Sequence, residues 1–470
     1  MAEEPETDVP GPPIVWAPGA ERIGQDALDV AAATMGPAPA AHAGALDMVG
    51  RDADLHALDN LVPHFDDVVI TESASAAGQG GLGKSWLARA YAELRRPRWP
   101  EGPVVVPLTR PDRAGVEFAA AGLRTGFATS GTLSERVQAT VAGLRETPGW
   151  LLILDDCPDR RSFNAVRPAG GPPTTLVTAS RAPWAQDAGA GVYPLGPLDY
   201  RDAARICGMH RPDLTPDLPE PARLAAALDE VPEALALAAR TLAAQRDGTY
   251  GDPITYINAA RKIRVDRLQL ATGAGTRAPA GRETAIVRAV GMAAASLRAT
   301  HGPDITALYL LRIASAFMPG RDFPERLLRQ AAHGSDEPPD PGQVTQALNR
   351  LRALGLLRDD GPTGGLYVPR LVAAYVAGND MGAMPRLRRL AEGAAARLAA
   401  EALIQGRVNA ILPWQSHLHH LAEIADLTRS PYAGVLMRRL AEQMHGLGEP
   451  DLAQALDAHG NALIQSNPPA

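Results

Sequence analysis

The sequence predicts an α/β fold, a parallel sheet with helices on both faces, followed by a helical domain, a winged helix and an all-α C-terminal region. Three observations predict it. The stretch Gly78-Gln79-Gly80-Gly81-Leu82-Gly83-Lys84-Ser85 fills every fixed position of the pattern GxxxxGK(S/T), a phosphate-cradling loop that joins a strand to a helix. The run Trp150-Leu151-Leu152-Ile153-Leu154-Asp155-Asp156 is continuously apolar and ends in two carboxylates, as a strand covered on both faces would. Beyond the last strand-like run the apolar positions fall at helical spacing. The first two observations together define the fold class as a P-loop NTPase.

Composition sets the frame for this fold. A chain of 470 residues has room for about three domains, and 46% hydrophobic against 21% charged residues excludes a disordered chain. The net charge of −7 and pI near 5.9 argue against bulk nucleic acid as the main partner, while a local basic face stays open. Two cysteines, Cys157 and Cys207, make no disulfide framework and fit a reducing compartment. The acidic start Met1-Ala2-Glu3-Glu4-Pro5-Glu6 lacks the apolar core of a secretory signal. Charges interrupt the Ala-rich segments before any could span a bilayer. A soluble, cytoplasmic chain without a membrane partner is expected, and its Ala, Arg, Gly and Pro usage fits a GC-rich genome.

The glycine-rich loop carries the chemistry. Glycines let successive backbone N–H groups turn toward a β-phosphate, the lysine ammonium reaches the β- and γ-phosphates, and the serine hydroxyl ligates Mg²⁺. Trp86 to Ala92 reads as the helix whose N-terminus faces the anion. Such a loop could also be an ordinary flexible turn. The chain has only two lysines, Lys84 and Lys262, and one of them stands where a compact ammonium is needed and a flat guanidinium would not serve.

Taken in order, residues 1–45 are rich in Pro, Ala and Gly and are expected to form a flexible leader, too short for an independent effector domain. Asp52 is placed to cap a helix with apolar residues at Leu55, Leu58 and Leu61. Val68 to Thr71 is a weak strand by composition, accepted because a phosphate loop must be fed by one. Val104 to Leu108 is a β-rich run, and the spacing Leu133, Val137, Val141, Leu144 is helical. At the end of the apolar run, Asp155 stands where a Walker B acid holds Mg²⁺ opposite Ser85, and Asp156 is the candidate for polarising an attacking water. A core strand that merely ends in a polar turn would look the same. Thr175 to Thr178 is a further strand, and Arg181 just past its end is placed either to reach a γ-phosphate or to lie on the surface. Val192 to Leu195 closes the sheet, and Asp199 caps the next helix.

In this order the segments MVGRDADLHALD, GQGGLGKSWLA, WLLILDD, LVTASR and YPLGPLDYRDAARI resemble the NB-ARC nucleotide-binding domain of the STAND class of signalling ATPases, in particular bacterial members with a short tetratricopeptide-like C-terminus. The resemblance covers about residues 48 to 205. It implies that Val49, Gly50 and Arg51 lie against the adenine and that Arg181 senses the γ-phosphate. A GLPL motif would place a proline on the base; here Glu230-Val231-Pro232-Glu233 retains only Pro232. The implied ligand contacts are therefore Val49, Gly50, Arg51, Gly78, Gly80, Gly81, Leu82, Gly83, Lys84, Ser85, Trp86 and Pro232. Lys84, Asp155, Asp156 and Arg181 form the catalytic set, and Ser85 and Asp155 the metal ligands.

Past the sheet, Leu224 to Leu242 is helical with Pro232 interrupting or starting a helix. Ala260 to Arg267 reads as a basic, solvated helix face, and residues 271–282 as a Gly/Ala/Pro linker. Helical runs at 284–298 and 304–317 precede an order typical of a winged helix, with Gln343 to Leu354 as third helix and Gly361 to Val368 as wing. A winged helix can bind DNA, but only Arg350 and Arg352 make this third helix basic. The resemblance points instead to a moving lid that contacts nucleotide in the off state. Where that family places a histidine on the ADP β-phosphate, this chain has Pro369, so the closed state is expected to be held less tightly or by Arg370. Residues 384 to the end are helical, the last pair resembling one tetratricopeptide unit. His417, His420 and Glu423 share a helix face, for which a polar helix edge is preferred to a metal site.

The domains are placed at 1–45 (leader), 46–198 (P-loop nucleotide-binding domain), 199–270 (helical), 283–378 (winged helix) and 384–470 (α-helical, tetratricopeptide-like). The expected function is an ATP/ADP-dependent, Mg²⁺-requiring switch ATPase, with nucleotide as ligand and a homo-oligomer or protein partner engaged through the C-terminal helices. The alternatives are a transcription factor whose winged helix binds DNA, and a non-hydrolysing scaffold that keeps nucleotide as a structural ligand.

Overall fold

The computed structural model describes residues 49–73, 81–167, 174–265, 268, 270–272, 275–279, 281–297, 302–335, 337–359, 365–379 and 382–466. The leader, Gly78 and Gly80 lie outside these residues. Helix α1 (Asp52–Leu61) leads to strand β1 (Asp67–Glu72), then α2 (Lys84–Leu94), β2 (Gly102–Pro107), α3 (Ala114–Thr125), α4 (Leu133–Glu146), β3 (Trp150–Asp155), α5 (Arg160–Val166), β4 (Thr175–Thr178) and β5 (Gly191–Leu195). The five strands form one sheet in the order β2-β3-β4-β1-β5, every pairing parallel. Parallel strands must be joined by crossovers, which here are the helices except between β4 and β5, where residues 179–190 form turns.

Period-two alternation assigns the faces. Val68, Ile70, Leu151 and Ile153 point to a layer made with α1 and α2, where Leu58, Leu87 and Tyr91 are fully buried. Val69, Leu152, Leu154 and Val177 point to the opposite layer, against Phe118 of α3, Leu144 of α4 and Phe163 of α5. The weak apolar run at 68–71 thus forms a strand buried along its whole length. Asp52 does not cap α1: it is the first helical residue, Arg51 takes the cap position, and no side chain caps this end. Thr132 and Glu135 do form a reciprocal capping box on α4, and Asp199 accepts from the N–H groups of Arg201 and Asp202 at the start of α6 (Tyr200–Gly208).

Helices α7 (Pro219–Ala227), α8 (Pro232–Ala244), α9 (Pro253–Ala260) and α10 (Arg282–Ala295) follow. Pro232 starts α8 as its first residue, where the missing N–H costs nothing. The basic run at 260–267 is described only as far as residue 265, and that part is not a helix face, because α9 ends at Ala260 and the chain turns there. Within the expected linker, β6 (Leu270–Thr272) and β7 (Gly275–Arg277) pair antiparallel. Next come α11 (Gly302–Ala314), β8 (Asp322–Phe323), α12 (Glu325–His333), α13 (Pro341–Leu354), β9 (Leu366–Tyr367) and α14 (Arg370–Asn379), with β8 and β9 antiparallel. The chain closes with α15 (Met384–Ile404), α16 (Gln415–Leu427), α17 (Ala433–Gly446) and α18 (Pro450–Ser466).

One continuous apolar core runs through these helices from Leu198 to Leu440. A smaller cluster, Ala119, Ala120 and Leu133 from the sheet side with Leu412, Met444 and Leu447 from the C-terminal side, joins the helices flanking the sheet to the C-terminal helices. At its margin the Leu133 N–H donates to the Leu447 carbonyl at 2.6 Å. No helix among the described residues is long and apolar enough to cross a membrane. Both cysteines are free and buried, and burial pushes each thiol up to about 12, so neither is a reactive thiolate.

Candidate functional site

Because the sheet is parallel, β1, β3 and β4 end on the same edge, with β4 between the other two. Ligands of such sheets bind at the carboxyl edge. Three polar residues define it here: Glu72 ending β1, Asp155 ending β3 and Thr178 ending β4. The Thr178 hydroxyl donates to Asp155 Oδ1 at 2.6 Å and accepts from the Asp156 N–H at 2.8 Å. One hydroxyl thus fixes both carboxylate positions. Asp156 is held at φ 61°, a left-handed conformation uncommon for a non-glycine residue, and strain of this kind is concentrated at functional sites.

The chain from Gly81 enters α2 through two left-handed glycines, Gly81 at φ 73° and Gly83 at φ 88°. A Cβ on Gly83 would meet nothing within 4 Å among the described residues, so none of these crowds the start of α2. A Cβ on Gly81 would lie 2.5 Å from Ile286 Cδ1 of α10 and 3.3 Å from Val231 Cγ1, just before Pro232. The phosphate-loop segment is thereby packed against both helical elements that follow the sheet. Lys84 is the first residue of α2, and its ammonium donates to Glu72 Oε1. Ser85 and Trp86 follow, half-buried in the first turn, and Leu82 is buried.

Arg51 reaches into this segment from α1. Its guanidinium donates to the Leu82 carbonyl at 2.9 Å, to the Gly196 carbonyl at 3.0 Å and to Asp54 at 3.1 Å. It is buried and acts as a strut between the loop and the exit of β5. Gly50, at φ 75°, lies so close to α6 that a Cβ would come within 2.4 Å of the Asp202 side chain. Val49 packs on the helical core. Pro232 is half-buried at the start of α8, and Asp229 and Glu230 before it take φ 54° and 50°. Glu230 therefore keeps the backbone that a glycine adopts without strain. Arg181 is exposed and makes no hydrogen bond or ion pair among the described residues.

A contact from far along the chain completes the edge. Arg370, the first residue of α14, donates to Asp156 Oδ2 at 2.5 Å, and the Thr109 hydroxyl reaches the same oxygen at 3.3 Å. Two further ion pairs bind the sheet to the C-terminal half. Arg321 pairs with Glu117 of α3, and Glu423 of α16 takes Arg113 at 2.5 Å and Arg110 at 3.1 Å.

The structure brings Arg51, Gly81 to Ser85, Val231-Pro232, Asp155, Asp156 and Arg370 to one edge of the sheet and its neighbouring elements. Gly78 and Gly80 lie outside the described residues. Glu72 and Ile286 belong to this edge without having been marked by any motif, and Thr178 lies within the LVTASR segment without having been singled out. Thr178 could have been found as the last residue of a strand expected to neighbour the acid strand, but Glu72 and Ile286 carried no signal. The start of α2, with two left-handed glycines and a helix N-terminus, fits a polyphosphate. One oxygen of Asp155 is anchored by Thr178 while Oδ2 has no hydrogen bond among the described residues, which fits a metal-side acid.

The histidines of α16 make no metal centre, and no group of three or more metal-ligating residues occurs among the described residues. His417 is fully buried rather than on a polar helix edge. Its Nδ1 accepts from the Met318 N–H at 3.1 Å, and its Nε2 donates to the Asp322 carbonyl at 2.9 Å. Burial drives its pKa down to about 3, with the Asp322 carbonyl opposing and Arg321 nearby adding to the fall.

The α/β sheet with a glycine-turned loop and an acid strand end defines a nucleotide-binding class of fold. No protein-family model matches the chain. Over an alignment of 243 positions that covers 47% of this chain and 23% of the other protein's length, the chain is 29% identical to the regulatory protein AfsR of Streptomyces griseus. Among solved structures, the chain is similar to a signal transduction ATPase with numerous domains carrying a tetratricopeptide repeat sensor, from Pyrococcus horikoshii. That likeness has a TM-score of 0.45 at 15% identity over 89% of this chain and 65% of that one. A Walker-type ATPase of Pyrococcus abyssi gives TM-score 0.32 and 13% identity over 72% and 98%. The Aeropyrum pernix ORC2 protein, in ADPNP and ADP complexes, gives 0.31 and 16% over 70% and 94%. These overall likenesses are loose, and the topology described above rests on the chain's own strand pairing.

Proposed function

We propose that this chain is an ATP/ADP-dependent conformational switch of the NB-ARC and STAND kind, a slow Mg²⁺-dependent ATPase acting in cytoplasmic regulation. The observation that carries the reading is the Arg370–Asp156 ion pair, which ties the helical C-terminal half to the carboxylate next to the acid strand end. A ligand at this edge is in a position to change that contact, and with it the placing of everything after β9. The regulatory nature of the AfsR match agrees with this reading.

In the proposed arrangement Gly81, Gly83 and the N-terminus of α2 would receive the phosphates, with Lys84 as counter-charge and Ser85 and Asp155 on the metal side. Bound Mg²⁺ would neutralise charge that builds on the transferring phosphoryl group. Asp156, with its carboxylate engaged by Arg370, would polarise water poorly until that pair opens. Arg51 would shape the loop through its backbone bonds, and Val49, Gly50 and Pro232 would frame the base. Arg181 has the freedom to approach a γ-phosphate. The three-helix unit α11, α12 and α13 with the antiparallel β8–β9 pair is the proposed winged helix, serving as a lid.

Charge disfavours a DNA-reading role for that unit. On α13, Arg350 pairs with Asp304 and Arg352 with Glu325 and Asp359, so neither presents a free guanidinium to phosphates. Lys84→Ala is expected to abolish nucleotide binding; tight ATP binding by that variant would sink the assignment of the site. Light scattering in ADP and in a non-hydrolysable ATP analogue tests the switch, an unchanged size and shape speaking against it. Phosphate release from the purified chain distinguishes a slow ATPase from a non-hydrolysing scaffold. If Arg370 holds the ADP-bound state, Pro369→His adds no ADP affinity.

A further inference from the structure

The ammonium meant for phosphate already has a protein partner. Glu72 ends β1 with its side chain fully buried, and its Oε1 accepts from Lys84 Nζ, itself only 12% exposed. Nothing in the phosphate-loop pattern asks for a carboxylate at this place. A buried carboxylate is tolerated more readily with a cation next to it, and drawing that cation away raises the cost of burying the charge.

We propose that Glu72 competes with the nucleotide phosphates for Lys84, so that this one residue sets how tightly the site holds its ligand. The inference rests on the nucleotide-binding reading of the loop. Lys84 presents three N–H donors on a flexible stem, and any phosphate oxygen that draws the ammonium away does so against Glu72. When the ammonium is shared, the carboxylate and the phosphates become like charges close together, which disfavours both. Arg370 on Asp156 is a similar device beyond the end of β3, a charged group of the edge matched from within the chain. Glu72 differs in being wholly buried, so water does little to screen it. Binding is therefore weaker than the loop alone would give, as suits a ligand that must be exchanged.

The test is calorimetric titration of the full chain with ADP, with a non-hydrolysable ATP analogue and with inorganic pyrophosphate, for wild type, Glu72→Gln, Glu72→Asp and Lys84→Ala. Glu72→Gln keeps the shape and removes the charge, and it is expected to tighten all three ligands on the order of tenfold. The gain must include pyrophosphate, because the competition concerns phosphates and not the base. In the absence of ligand the same variant is expected to melt at a lower temperature than wild type, having lost an ion pair. Affinity and ligand-free stability thus move in opposite directions. Equal or weaker binding by Glu72→Gln overturns the inference and makes Glu72 a positioning residue for Lys84. Should that variant not fold, Glu72→Asp draws the carboxylate back by one methylene and is expected to give a smaller gain, and no gain overturns the inference equally. Failure of the underlying reading looks different: wild type does not bind, or Lys84→Ala binds as wild type does.

Discussion

Acid is expected to loosen the seating of α16 through a single imidazole. His417 bridges the Met318 N–H and the Asp322 carbonyl, which requires the neutral ring with its proton on Nε2. Protonation would turn Nδ1 from acceptor to donor, facing an N–H. Its folded-state pKa is lowered from 6.5 to about 3 by burial, so between these values the unfolded chain binds one more proton than the folded one. The stabilisation is complete above about pH 6.5 and is lost as the pH falls toward 3. At about 1.36 kcal/mol per unit, the loss is about 2 kcal/mol by pH 5 and 4 to 5 kcal/mol by pH 3. His419 and His420, lowered by burial to about 4, add in the same direction. A difference between two proteins removes their share. His417→Gln cannot titrate and leaves at least one backbone group less well satisfied, at a fixed cost of about 1 to 3 kcal/mol. Urea unfolding of both proteins by circular dichroism at pH 7.5, 6 and 5 is the assay. The gap between them should narrow by about 2 kcal/mol from pH 7.5 to 5. A gap constant within about 0.5 kcal/mol, or an imidazole NMR signal of His417 that titrates near its ordinary value, refutes the reasoning.

Three further outcomes follow from the same geometry. Gly81→Ala meets both a left-handed backbone at φ 73° and Ile286 at 2.5 Å. It is expected to cost about 1 to 3 kcal/mol, seen as a lower melting temperature, and an unchanged melt would show that the loop yields. Arg370 is 58% exposed in its pair with Asp156, so Arg370→Ala should cost no more than about 1 kcal/mol while speeding amide hydrogen exchange in α14. Exchange identical to wild type would mean that the pair does not hold that helix. Glu423→Gln leaves Arg113, 7% exposed, with only the longer 3.8 Å pair to Asp112 among the described residues. After allowance for the half-exposed glutamate, a loss of about 1 to 2 kcal/mol is expected in urea unfolding, and a loss below a few tenths would make the pair ornamental.

The sheet was legible wherever its signal was local. Trp150 to Asp155 announced itself by an unbroken apolar run, Thr175 to Thr178 by β-branched residues, and Val68 to Thr71 only through the loop it feeds, since three apolar residues say little by themselves. The β6–β7 pair was hidden because Ala, Gly and Thr look like linker and its hydrogen bonds are all backbone. Asp52 was misplaced by one residue, as cap preference and first-turn preference both favour aspartate. At the site, residues set by the loop pattern could be named, but those set by tertiary approach could not. Arg370 meets Asp156 across 214 positions, and Glu72 looks like any polar strand end until Lys84 is seen to fold back on it. His417 stood in a run of histidines that invited a surface role, and only the backbone groups of Met318 and Asp322 explain why it is buried.

The contacts between sheet and C-terminal half divide by physical kind, and the division bears on how such a chain could switch. The charge pairs Arg370–Asp156 and Arg110–Glu423 are roughly half exposed, and each contributes at most about 1 kcal/mol. Leu133, Leu412, Met444 and Leu447 are buried against one another, and burial of such side chains is worth about 1.5 to 3 kcal/mol apiece. The apolar cluster, with the more buried pairs Arg321–Glu117 and Arg113–Glu423, therefore holds the halves together, while the two exposed charge pairs fix their register and are cheap to exchange. A ligand that reverses a 99:1 preference must distinguish two states by about 5.5 kcal/mol. Breaking Arg370–Asp156 alone falls well short of that, so a nucleotide that opened the chain fully would have to act on the Gly81–Ile286 and Gly81–Val231 packing as well. A nucleotide that acted only on the ion pair would shift α14 and leave the cluster around Leu447 closed. Hydrogen exchange separates the two, because full opening exposes the amide of Leu133, bonded to Leu447, and the local change does not.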